Sequence, residues 1–252
     1  MTVGELYSFL CEKIPSTLSC DWDHDGLAVC PDRNAPVSGV VCVLDMSEAA
    51  LDLAIEKGCN VIFTHHPMLF RPLASLSGDT PLEKLAIRCL LCGVSVMGFH
   101  TRADAVEGGT NTCLLASLGL KVVPEVCDGQ VFRLGTLPSP MTAHEFARHI
   151  KEKLGASVRY ADGGKPITTV LVCGGGGKGF SAEAQHLGAD AFLTGEIGHH
   201  GLCDAPAIGI SLFEAGHFET EVAVLNFFAS LVSEADSHIP VFPSTLTDLH
   251  CI

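Results

Sequence analysis

A repeat at an offset of 130 residues constrains this chain more than any other feature. Val40-Val-Cys-Val43 lines up with Val170-Leu-Val-Cys173, Gly58 with Gly188, Asn60 with Asp190, Phe63 with Leu193 and Thr64 with Thr194. In each copy an apolar run of strand length leads through a helical stretch and a glycine to a second apolar run, the order of a β-α-β unit. Two copies predict an α/β protein made of two similar α/β domains related by internal duplication.

Around the repeat, local signals mark further elements. Thr2 with Glu5 is a capping box, and Leu6, Phe9, Leu10 and Ile14 form the apolar stripe of a first helix ending near Pro15. Ser47 caps the helix between the first two repeat strands, and Thr80-Pro-Leu-Glu83 opens another with a cap, a proline and a capping-box acid. Val94 to Phe99 reads as a third strand. Beyond Gly119, Pro124, Asp128-Gly129 and Pro138-Ser-Pro140 mark turns between short strands at the entry to a second domain. Thr142 to Glu145 caps a helix striped by Phe146, Ala147, Ile150 and Leu154. Ile208 to Phe213 is a strand, a helix runs from about His217 through Val232, and a last short strand lies near Ile239 to Phe242.

The strand ends carry the chemistry. Val61 to Phe63 stops at His65-His66-Pro67, and in open α/β sheets ligands bind at carboxyl strand ends. Where the first copy has His65-His66, the second has Gly195-Glu196, followed by His199 and His200. The third strand ends at His100-Thr-Arg-Ala-Asp104, and the 208–213 strand runs into His217 and Glu221, four apart and so on one helix face. Mixed imidazole and carboxylate donors suit zinc, iron or manganese. Gly174-Gly-Gly-Gly-Lys-Gly179 is either a strand-to-helix turn or an anion cradle using Gly175, Gly176 and Lys178, although it lacks the Walker spacing. The acids of Cys20-Asp-Trp-Asp-His-Asp25 are either turn formers or groups that reach a cation.

Composition removes several function classes. A formal net charge of -14 with no Lys/Arg cluster argues against a direct nucleic-acid role. No basic leader or bilayer-length apolar run is present, so we expect a cytoplasmic protein without a membrane role. The 12 cysteines fall mostly inside apolar patterns, as at Cys42, Cys113 and Cys173, and read as small buried hydrophobes of a reducing compartment. Cys89 and Cys92 form a CxxC, but Cys89 lies on the core face of its helix.

Thr64-His-His-Pro, His100-Thr-x-x-Asp104, Thr194-Gly-Glu-x-x-His-His200, Gly216-His-Phe-Glu-Thr-Glu221, Asp21-Trp-Asp and Gly26-Leu27 together resemble the Nif-three-like dinuclear-metal family, whose members are named GTP cyclohydrolase 1 type 2 homologues. The resemblance runs nearly end to end. It implies two divalent metal ions held by His65, His66, Asp104, His217 and Glu221, with Asp104 bridging. It also implies a first domain made of both chain ends, which we expect at 1–125 and 205–252, with the second at 126–204, and a ring-shaped homohexamer. Between Thr101 and Asp104 the family's usual Asn-Leu is replaced by Arg102-Ala103, so that Arg102 either neutralises an anionic substrate or pairs with a surface acid. The activity implied is that of a metal-dependent hydrolase on a nucleotide or similar small molecule. Glu196, His199 or His200 would then shuttle protons, and His100 would orient Asp104. The alternative is a non-catalytic metal-binding, storage or scaffold protein.

Overall fold

The computed structural model describes residues 1–124 and 126–247. Thr2 accepts the Glu5 amide while Glu5 accepts the Thr2 amide, and this box opens α1 (Val3–Lys13). β1 (Gly26–Val29) and β2 (Val40–Val43) follow, then α2 (Glu48–Glu56), capped by Ser47, and β3 (Val61–Thr64). The Thr80–Glu83 box starts α3 (Pro81–Leu91), which leads to β4 (Ser95–Gly98) and the short α4 (Thr101–Ala105). Next come α5 (Thr110–Ser117), β5 (Lys121–Val122) and β6 (Arg133–Met141). A third capping box, Thr142 with Glu145, begins α6 (Ala143–Leu154), closed by Gly155 at φ 69°. Then follow β7 (Arg159–Ala161), β8 (Ile167–Gly176), α7 (Ser181–His186), β9 (Ala191–Glu196), α8 (His199–Cys203) and α9 (Ala205–Ile208). β10 (Ser211–Glu214), α10 (His217–Glu221), α11 (Val224–Ala235) and β11 (Val241–Pro243) complete the order.

Two compact α/β units result: Met1–Ala103 with the chain from Leu225, and Asp104–Val224. The first joins chain from before Asp104 and after Val224, where 1–125 with 205–252, and 126–204, were expected. α5 packs on β5, β6 and β8, and β10 pairs with β9, so both segments go with the second sheet. The expected edges at 125 and 252 lie outside the described residues.

The first sheet has the order β1-β4-β3-β2-β11 and the second β5-β6-β8-β9-β10-β7. β2, β3 and β4 are parallel and buried along their whole length, as expected of strands covered on both faces. Val41, Val43, Ile62 and Val96 pack with Leu51, Ala54, Leu85 and Cys89 from α2 and α3. Each full burial of such an aliphatic side chain contributes about 1.5–3 kcal/mol.

The repeat is visible as register. Val40 to Val43 pair with Val61 to Thr64, and Val170 to Cys173 pair with Ala191 to Thr194, every pair displaced by the same 130 residues. A third parallel strand follows in each, with Thr64 opposite Gly98 and Thr194 opposite Glu214, and an antiparallel strand lies beyond it, β1 on β4 and β7 on β10. The sheets part at the far side of β2 and β8, where β11 is parallel and β6 antiparallel.

Three local expectations are corrected. The strand expected from Ile208 begins at Ser211, because Pro206 suits the first turn of α9 and Gly209, at φ 68°, closes it. The helix expected to run on from His217 breaks after Glu221 and restarts at Val224. The glycine run is strand through Gly176 and enters the expected turn only afterwards, where the Phe180 amide donates to the Gly177 carbonyl (3.2 Å) ahead of α7. Cys42, Cys89 and Cys173 are buried, and the described cysteines are free thiols. Burial lifts the Cys89 thiol to about 11 and makes it a packing residue, while Cys92 lies exposed.

Candidate metal centre

In the first unit β3 and β4 deliver three imidazoles to one place. Candidate ligand atoms of His65, His66 and His100 lie within 4.8 Å of one another. The backbone fixes the first two by continuing the ladder: the His65 amide donates to the Val43 carbonyl (3.2 Å) and the His66 amide to that of Leu44 (2.9 Å).

All three rings share one hydrogen-bonding pattern. His65 Nδ1 donates to the Phe99 carbonyl (3.1 Å), His66 Nδ1 to the Asp45 carboxylate (2.8 Å) and His100 Nδ1 to the Asp23 carboxylate (3.0 Å). A carbonyl or carboxylate oxygen only accepts, so Nδ1 must carry the proton, and in the neutral ring Nε2 carries the lone pair. Metal-ligating histidines are held in just this way, with the second ring nitrogen on a carboxylate or carbonyl. The donor set therefore fits a transition-metal cation.

The Asp21-to-Asp25 loop serves this cluster. Asp23 accepts the Thr101 hydroxyl (2.6 Å) and amide (3.0 Å) as well as His100. Burial by itself would raise the Asp23 carboxyl, but the bonds from His100 and Thr101 outweigh it and hold its pKa at about 2. Asp25 accepts the His100 amide (3.0 Å) and Arg102 Nε (2.9 Å). Two of the loop's acids are thus clasps on the segment after β4 rather than turn formers. The cation that one of them reaches is a guanidinium.

Arg102 faces neither a substrate nor a surface acid. It is almost wholly buried, its guanidinium 3.6 Å from the Phe99 ring centroid, donating to the buried Asp25 and to the Ile14 carbonyl (3.2 Å). Paired and stacked in this way, the planar, always charged guanidinium braces the loop against α1.

In the second unit the donors come from α10. His217 Nε2 lies 3.2 Å from Glu221 Oε2 across one turn, and His217 Nδ1 lies 3.4 Å from Glu196 Oε1 at the end of β9. His217 is partly exposed and Glu221 buried. The glycine run admits them. Gly175, at φ 60°, sits where a Cβ would collide with the Glu221 carboxylate and come within 2.8 Å of His217 Nε2. The Gly174 amide donates to Asn111 Oδ1 (2.8 Å) and the Gly175 amide to Thr220 Oγ1 (3.0 Å), so neither is offered to an anion. Lys178 is exposed.

Glu214 accepts the amides of Ile197 and Gly198, each at 2.8 Å, and so anchors the turn that follows Glu196. His199 and His200 stand exposed on α8, where His199 Nε2 lies 3.6 Å from Cys203 Sγ, and they join no ligand group among the described residues. Asp104 is on α4, four residues after His100, with its carbonyl accepting Asn111 Nδ2 (3.3 Å). Asp45 follows Leu44 in the sequence, and nothing local marks it as the partner of His66, 21 positions on.

The model of the family described as Duf34/NIF3 (NGG1p interacting factor 3) matches residues 1–248. A Clostridium acetobutylicum protein named "GTP cyclohydrolase 1 type 2 homolog" is 34% identical over 233 residues, 88% of this chain and 85% of the relative. A Clostridium perfringens protein of the same name is 30% identical over 93% of this chain and 92% of its own. The crystal structure of a Staphylococcus aureus protein superposes with a TM-score of 0.90 over 100% of this chain and 99% of that one, at 24% identity, a likeness of fold.

Proposed function

The chain belongs to the Duf34/NIF3 family, and we propose that it is a dinuclear metal-binding protein, a metal-dependent hydrolase acting on a nucleotide or similar small molecule. We assign the binding of two divalent cations, zinc, iron or manganese, to His65, His66, Asp104, His217 and Glu221, with His100 as a further donor. The observation that carries this reading is the shared tautomer of His65, His66 and His100, each ring holding its Nδ1 proton on an oxygen.

Divalent cations held by these groups would supply Lewis acidity and activate a water for attack. The chain supplies the rest. Asp45 and Asp23 hold imidazoles in orientation. To Glu196, 67% exposed on its side chain and 3.4 Å from His217 Nδ1, we assign the taking and return of a proton. Its nearness to His217 also lets it orient that ring, so the two roles must be separated by experiment. The name borne by the Clostridium relatives points, for this chain, to hydrolysis at the imidazole-ring carbon of a purine nucleotide. Burial of His65 and Glu221 favours a second reading, a tightly kept metal in a non-catalytic storage or scaffold protein.

No described helix is long and apolar enough to cross a membrane. We place the protein in the cytoplasm as a homohexamer without nucleic-acid partners. The test is metal analysis of freshly purified protein, sedimentation of the same sample, and a hydrolysis screen over nucleotides and phosphoesters with the native metal restored. About two equivalents of metal per chain with turnover support the hydrolase. Metal without turnover leaves the storage reading, and absence of metal defeats both.

A further inference from the structure

Trp22 and Phe70 are large apolar side chains left 57% and 44% exposed. Their ring centroids are 6.1 Å apart with planes tilted by 55°. Both turn toward His100 at steep angles, Trp22 at 6.1 Å and 75°, Phe70 at 6.3 Å and 79°. The His100 ring lies 5.6 Å from that of His66. An exposed aromatic pair therefore adjoins the imidazole cluster.

We propose that Trp22 and Phe70 form a stacking platform for a planar heteroaromatic ring, the base of a nucleoside-class ligand. This deepens the hydrolase reading, on which it rests only for calling that ligand a substrate. Every nucleobase has a π-face that stacks on an aromatic side chain whatever its hydrogen-bonding edge. The two protein rings already touch each other, so a base stacks on their outward faces and not between them.

The Trp22 half of the platform is held in place. The Asp23 amide donates to the Cys20 carbonyl (2.9 Å), the Cys20 amide to Thr101 Oγ1 (2.9 Å), and Asp23 is clasped to His100 and Thr101, so both neighbours of the Trp22 segment are tied down. Pre-organised rings lose little entropy on binding. A second copy of the chain is the poorer occupant. From the usual side-chain areas, the exposed parts of both rings sum to about 230 Å², far below the roughly 800 Å² per partner of a stable interface.

Trp22 is the only tryptophan in the chain, so its fluorescence reports on the platform directly. Adenosine and guanosine, lacking phosphate, are titrated into the full-length protein with and without metal, with ribose 5-phosphate as the non-aromatic control. Saturable quenching by the nucleosides and none by ribose 5-phosphate is the expected result. Phe70→Ala should weaken nucleoside binding by on the order of tenfold, and Trp22→Leu, followed by calorimetry, should weaken it at least as much. Three results overturn the platform: no saturable quenching by either nucleoside, an equal response to ribose 5-phosphate, or a signal that changes on dilution alone, which would mean that a second copy covers the rings. Nucleotide turnover without nucleoside quenching or any Phe70→Ala effect defeats the platform and leaves the hydrolase standing. Nucleoside binding without turnover does the reverse.

Discussion

In the first unit β3 stops at Thr64 and the next two positions are His65 and His66; in the second β9 continues, and the same two positions are Gly195 and Glu196. The position after Leu44 is Asp45 in one unit, and its counterpart is Gly175 in the other. Two residues beyond the third strand stand His100 and Gly216. Strand order, direction and register agree across these parallel strands, yet the donors leave from different elements. The first unit presents imidazoles straight from strand ends and orients one with the Phe99 carbonyl and two with the carboxylates of Asp45 and Asp23. The second has glycine at two of these positions, because a side chain at Gly175 or Gly195 would strike Glu221 or His217. That space lets α10 bring its own histidine and carboxylate forward. A shared strand register sets where groups can emerge, and the residues at those few positions set which chemistry emerges.

The largest expected effect tests whether position 196 differs in kind from position 66. Glu196→Gln should keep the metals and the assembly while lowering any turnover found by a factor of about 10² to 10⁴, or ~3–5 kcal/mol of barrier. His66→Gln should instead lose metal. Metal analysis beside steady-state rates decides, and metal lost from Glu196→Gln would make the two positions ligands alike.

A smaller effect separates the two settings energetically. His65→Ala and His217→Ala should both lose metal, but they should differ in stability when compared metal-free. His65 is fully buried, so its removal opens a cavity worth about 2–4 kcal/mol. His217, with 36% of its side chain exposed, should cost less than about 1 kcal/mol. Urea unfolding of the metal-free variants measures both, and equal losses would erase the distinction.

The smallest effect concerns the acid clasp that only the first unit has at this place. Asp23 is deprotonated in the folded protein down to a pKa of about 2, against an ordinary 3.8, so the folded state binds fewer protons than the unfolded one. Its stabilisation, about 2 kcal/mol at neutral pH, is complete above the ordinary value and fades as pH falls from about 4 toward 2. Asp23→Asn should flatten that limb of the acid unfolding curve. Trp22 fluorescence in acid titrations of both proteins checks it, and superposable curves would show that the clasp contributes nothing.

What could be read from the sequence was local or periodic. Capping boxes at Thr2, Thr80 and Thr142 marked helix starts because a side chain and an amide three residues apart satisfy each other without help from the rest of the fold. The repeat offset carried over into register, since buried parallel strands tolerate no slip of their apolar pattern. His217 and Glu221 share a face because one helical turn brings residues four apart together.

Other features appeared only once the chain was folded. Asp23 meets His100 across 77 residues, Asp25 meets Arg102 across the same distance, and His65 meets the Phe99 carbonyl across 34. The assignment of 104–124 and 205–224 to the second unit depended on which sheet α5 and β10 joined. A buried charge such as Arg102 must find a partner wherever the fold brings one, and an imidazole keeps its proton on whichever nitrogen faces an accepting oxygen. Neither choice leaves a mark in the residues on either side, so the sequence named the imidazoles and the folded chain chose their tautomers.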